Sequence, residues 1–114
     1  MYTDEFVDLL KRSAREPADV SVWMHRRGAG YDTPVEHCTV VFGGIEDGLH
    51  VNVPYPDVPQ EPISLWHDEY GDPIFDGPLA ADGWRTILAW LIGDGILLRN
   101  LELDALMEGA RWER

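Results

Sequence analysis

The stretch HCTVVFGGIEDGLHVNV, from His37 to Val53, constrains the fold of this chain more than any other. Two runs rich in β-branched residues flank a glycine-rich turn, which is the pattern of a hairpin. Setting Gly43 opposite Gly48 brings Phe42 to Leu49, Val40 to Val51 and Cys38 to Val53. All six are apolar or small, and all share one side. On the other side His50 meets Val41 and Asn52 meets Thr39. Strand side chains alternate, so a slip of one residue would undo this sorting. The segment is predicted to be an antiparallel pair with one buried and one polar face.

A buried sheet face needs a cover, and the chain supplies helical patterns at both ends. A helix is predicted from Asp4 to Arg15, with Thr3 as N-cap. Asp4 and Glu5 lie at its start and Lys11, Arg12 and Arg15 at its end, the order the helix dipole favours. Phe6, Leu9, Leu10 and Ala14 form its apolar stripe. A second helix is predicted over Gly83 to Ile92, capped by Asp82, and ended by Gly93-Asp94-Gly95. A third starts near Leu101 behind Asn100, with Leu103, Leu106, Met107 and Ala110 on one face.

Three more strands are expected between the helices. Asp19 to Arg26 alternates, with Val20, Val22 and Met24 on the better core face and Ser21, Trp23 and His25 on the other. The stretch ISLWHDEYGDPIFDG reads as a second hairpin turning at Glu69-Tyr70-Gly71, with Leu65 opposite Phe75 and Trp66 opposite Ile74. Four prolines between Pro54 and Pro62 remove ladder donors, so that segment is expected to be an extended connector. The order of elements predicts an α+β fold. Its sheet is mostly antiparallel, of about five strands, with one N-terminal and two C-terminal helices. At 114 residues it is expected to be a single compact domain over 1–114.

Composition bounds the chemistry. Twenty-one acids face nine bases, a formal charge of −12. Such a surface repels nucleic acid and anionic membrane, and attracts a basic partner. Plain solubility explains the charge equally well. No apolar run reaches a membrane-spanning length, and the acidic start lacks the basic n-region of a signal peptide. One cysteine, Cys38, allows no internal disulfide, which points to the cytoplasm.

Catalytic patterns are sparse. Three serines, four threonines and one cysteine are present, with no G-x-S-x-G elbow. The glycine runs GAG and GGIEDG lack the lysine of a phosphate cradle. His37, His50, His67 and Asp68 are the residues that could ligate a metal or serve a hydrolytic site if their strands brought them together. Their spacing matches no zinc pattern, and His37 and Cys38 face opposite ways on a strand. Asp68, Glu69, Asp72 and Asp76 do not form the alternating series of a calcium loop. Nothing in the sequence requires a cofactor.

The leading expectation is therefore a non-catalytic protein that acts by binding another protein. Concrete versions are an immunity protein or antitoxin, a phage-type inhibitor of a basic partner, or a DNA mimic. Five tryptophans exceed what packing alone needs. The expected contact residues are Trp66, Asp68, Glu69, Tyr70 and Asp72, an anionic knob beside an aromatic, together with Trp23 and Trp90. A different expectation is a homodimer formed through the Trp84–Ile92 helix, which is apolar nearly all round.

Overall fold

The computed structural model describes residues 2–25, 37–44, 48–54, 62–67, 72–78 and 83–109. Five strands form one antiparallel sheet: β1 (Val20–His25), β2 (His37–Phe42), β3 (Leu49–Pro54), β4 (Pro62–His67) and β5 (Phe75–Pro78). Each pairs with its neighbour in sequence, so the sheet is a meander in the order β1-β2-β3-β4-β5. Three helices complete the fold: α1 (Thr3–Ser13), α2 (Trp84–Gly93) and α3 (Leu101–Gly109). The α+β class is as the sequence predicts.

The register of the first hairpin is also as predicted. Phe42 pairs with Leu49, Val40 with Val51, Cys38 with Val53, Val41 with His50 and Thr39 with Asn52. At its turn Gly43 takes φ +93°, a conformation open to glycine. Leu65 pairs with Phe75 in the second hairpin, again as expected. The proposed turn at Glu69-Tyr70-Gly71 lies outside the described residues. The prolines bring one correction. β3 runs into Pro54 and β4 starts on Pro62. Both occupy strand ends, where a missing ladder donor is tolerated.

One face of the sheet carries the core. Val40, Phe42, Leu49, Val51, Val53, Ile63 and Leu65 meet Phe6, Leu9 and Leu10 of α1, and Trp84, Ile87, Leu88 and Leu91 of α2. Leu103 of α3 and Leu97 complete the cluster. The strand residues among these share one parity of the register, so all three helices lie on the same side of the sheet.

The helix ends show what sequence rules miss. α1 begins at Thr3 itself, with Tyr2 at the cap position and no side-chain cap. The Thr3 hydroxyl instead donates to the Pro54 carbonyl across 2.8 Å in a buried site, fastening α1 to the end of β3. α1 stops at Ser13, short of Arg15. Ala14 bridges Leu97, the Arg15 amide donates to the Ile96 carbonyl and the Leu98 amide to the Ser13 carbonyl. Tertiary pairing thus takes the backbone groups that a longer helix would have used.

Thr3→Val keeps the shape but leaves the buried Pro54 carbonyl without its donor. It is expected to lower stability by about 1–2 kcal/mol, read from the midpoint of urea unfolding.

α2 ends in a Schellman turn. The Ile96 amide donates to Leu91 (2.9 Å) and the Gly95 amide to Ile92 (3.1 Å), with Gly95 at φ +78°. The proposed Asp82 cap lies outside the described residues; Gly83 holds the cap position. α3 is capped as expected, the Asn100 side-chain oxygen accepting from the Leu103 amide at 2.8 Å. The Asn100 amide nitrogen also donates to the Ser13 hydroxyl. Arg85 donates to the Met107 carbonyl, joining α2 to α3. Arg12 makes a bidentate contact with Glu102 at 2.9 and 3.0 Å, joining α1 to α3, and also pairs with Asp8. Hydrogen bonding to Glu102 raises the Arg12 pKa further above its usual value.

Candidate functional site

With the helices on one side, no described helix covers the other, open face, although Thr39, Val41 and Ser64 are buried on it. The register places its residues in rows. Trp23, Thr39, Asn52, Ser64 and Asp76 form one row across all five strands. Ser21, Val41, His50 and Trp66 form the next. Among the described residues no helix packs on these rows.

The polar groups of this face are partly satisfied within it. The Thr39 hydroxyl donates to the Asn52 side-chain oxygen, and the Trp66 indole nitrogen donates to the Ser64 hydroxyl at 2.9 Å. Thr39 and Val41 are buried, so β2 is covered on both faces. This corrects the expectation that the hairpin's second face is simply polar.

At the flanks stand the aromatics. Trp23 is 48% exposed on β1, and Trp66 is half-buried on β4. Three strand spacings separate them, about 14 Å, so they bracket the face instead of forming one pocket. Trp90 is not part of this site. It lies on α2, across the sheet, and packs against the core. Ile92 also packs partly against the core. Asp72 is exposed beyond β4, and Ile74 beside it is exposed as well. Asp68, Glu69 and Tyr70 lie outside the described residues.

Charge is distributed unevenly. Asp76 is the single acid among the described strand positions of the open face, in a chain with 21 acids. Exposed acids instead stud the helices and their ends, as Asp4, Glu5, Asp8, Glu102 and Glu108 do.

His25 pairs with His37 across β1 and β2, but the proposed ligands His37, His50 and His67 do not converge. His37 and His50 share the open face, but His50 pairs with Val41, four residues from His37. That is about 13 Å along the strand. His67 pairs with Leu49 and so belongs to the opposite face. Among the described residues no three His, Cys, Asp or Glu side chains are grouped to hold a metal. Asp68, the fourth proposed ligand, is not described.

A cleft of about 490 Å³ lies at the far end of the helical layer, between the ends of α1 and α2 and the Phe42–Gly43 turn. Arg15, Glu16, Asp19 and Asp94 line it, and all four are exposed. Among the described residues its lining holds no Ser, Thr, Cys or Lys side chain.

Comparison of the chain with protein-family models, curated proteins and solved structures returns no match. No helix among the described residues is long and apolar enough to cross a membrane.

Cys38, on the helical side of β2, is buried, and burial pushes its thiol pKa up, with Asp4 adding to the shift and Lys11 opposing it. The thiol is therefore a poor nucleophile in the folded chain. It is expected to react with iodoacetamide at least about tenfold more slowly folded than in urea. The raised folded value also fixes a sign. Stability is complete below the usual thiol value of 9.0 and falls as pH rises past it, because the unfolded chain ionises first. Cys38→Ala should remove that component of the alkaline decline, seen by comparing the two unfolding midpoints at neutral and alkaline pH.

What sequence reasoning missed here is the exposure of Val22 and Met24. Alternation assigned them to the core face, but both are more than two-fifths exposed. β1 lies at the sheet's edge, and the helices do not extend over its outer half. No pattern within six residues says which strand will be an edge.

Proposed function

We propose that this chain is a non-catalytic protein that binds a basic protein partner through the open face of its sheet. The observation that carries the reading is the disposition of the layers. Three helices share one face, and the other presents Trp23 and Trp66 with polar neighbours that are already hydrogen-bonded. Amphipathic aromatics on a rigid sheet offer contact area with little loss of conformational entropy on binding. The net charge of −12 favours a basic partner and makes encounter salt-sensitive. An inhibitor, immunity protein or antitoxin would need these properties and no reactive group.

The test is retention on the immobilised chain from lysate of its own host, with Trp23→Ser immobilised beside it. A basic protein held by the native chain, released by raised salt and held at least about tenfold more weakly by the variant, supports the reading. Equal retention by both, or none by either, rejects it.

A further inference from the structure

The two edges of the sheet are built differently. β5 is four residues, Phe75–Pro78, and contains an aspartate, a glycine and a terminal proline. These are devices that keep a second chain from adding to an edge. β1 has six residues, VSVWMH, with no proline, no glycine and no formal charge. Val22, Trp23 and Met24 are consecutive and exposed on both of its faces. No described strand lies beyond it.

The direction of the backbone groups can be read from the ladder. The Gly43 amide donates to the Asp19 carbonyl at 3.0 Å, in the register that pairs Val20 with Phe42. Odd-numbered residues therefore turn their amide and carbonyl toward β2, and even-numbered residues turn theirs outward. The Val20 amide is already used, donating to the Pro17 carbonyl. Among the described residues no strand takes the outward groups of Val22 and Met24.

We propose that β1 pairs antiparallel with β1 of a second copy of this chain, about a twofold axis at Trp23. In that register Val22 and Met24 of each copy lie opposite Met24 and Val22 of the other, and exchange four backbone hydrogen bonds. Trp23 lies opposite its own copy as a non-hydrogen-bonded pair, where side chains approach closest. All three exposed apolar residues are then matched with one another. Shifting the axis to Val22 would set Trp23 against Ser21 and would call on the Val20 amide, which is occupied.

Because outward groups sit on residues of one parity, both helical layers fall on the same side. The open faces join into one ten-stranded surface with the two Trp23 side chains at its centre. The contact is at the small end of interface sizes, and its dissociation constant is expected in the micromolar range or weaker. Each copy carries −12 overall, so screening should strengthen the dimer. Binding of a basic partner has the opposite salt dependence.

Sedimentation velocity across a concentration series, at about 50 mM and about 500 mM salt, tests this. The expected result is a monomer–dimer equilibrium that tightens with salt. Met24→Lys, a lysine on the edge, should weaken it at least about tenfold with an unchanged far-UV circular dichroism spectrum. Trp23→Ser should weaken it too, and Thr86→Lys, at an exposed position of α2, should not. A chain that stays monomeric throughout, or a dimer that Met24→Lys leaves intact, overturns the proposal. So does a monomer whose β1 edge instead binds protamine in a way that Met24→Lys abolishes, which would assign the edge to a basic strand.

Discussion

Replacing Trp84 with alanine is expected to remove about 3–5 kcal/mol of stability, the largest loss of any single side chain in the fold. Trp84 is fully buried at the start of α2. Its ring meets Phe6 of α1 edge-on, with centroids 6.5 Å apart and planes at 75°. The Arg85 guanidinium lies 4.4 Å from the ring centroid. Truncation would open a cavity where two helices and the sheet meet, and would discard the aromatic pair as well. A domain of this size has about 5–15 kcal/mol in total, so the loss is a large share of it and should appear as a clear drop in the unfolding midpoint. Chemical unfolding of the native chain, Trp84→Ala, Phe6→Leu and the double variant would also give the ring–ring coupling, expected at about 0.5–1.5 kcal/mol.

Gly48→Ala is expected to cost about 2–4 kcal/mol although it adds one methyl group. A Cβ there would collide with the Gly44 carbonyl oxygen and lie 2.5 Å from the Phe42 carbonyl oxygen. Both obstacles are backbone, and neither can rotate away. The Gly48 amide donates to the Gly44 carbonyl at 2.7 Å, so opening the turn to make room would stretch that bond. The hairpin register that organises the sheet depends on the same turn. Gly93→Ala is the informative control. At the end of α2 an added Cβ meets nothing within 4 Å, and the change is expected to stabilise by about 0.5–1 kcal/mol. Thermal unfolding of the two variants should therefore move in opposite directions.

What the sequence makes legible follows from how local each determinant is. The register of β2 and β3 is set by side-chain alternation over 17 residues, and the sheet has it as read. The Asn100 cap of α3 is a contact three residues long, and it too is present. Thr3 shows where such reading ends. Its hydroxyl is a reasonable N-cap by type, but a carbonyl 51 residues away is its partner. α2 looked apolar on every side because it packs on the sheet, on α1 and on α3 together, and periodicity does not count neighbours. Val22 and Met24 followed the core alternation of β1 faithfully, yet the helices stop short of them. Of the expected contact residues, Trp23 and Trp66 share one face because both have the same parity relative to a register that only the assembled sheet defines. Trp90, expected with them as a contact residue, belongs to the other layer.

The most direct test of a binding role for the open face is oxidative footprinting of the tryptophans, with and without the captured partner. Trp84, fully buried, serves as the internal reference. Modification of Trp23 and Trp66 is expected to fall severalfold in the complex while that of Trp90 is unchanged. Protection confined to Trp90 and the helices, with Trp23 and Trp66 oxidised as fast as in the free chain, would contradict it.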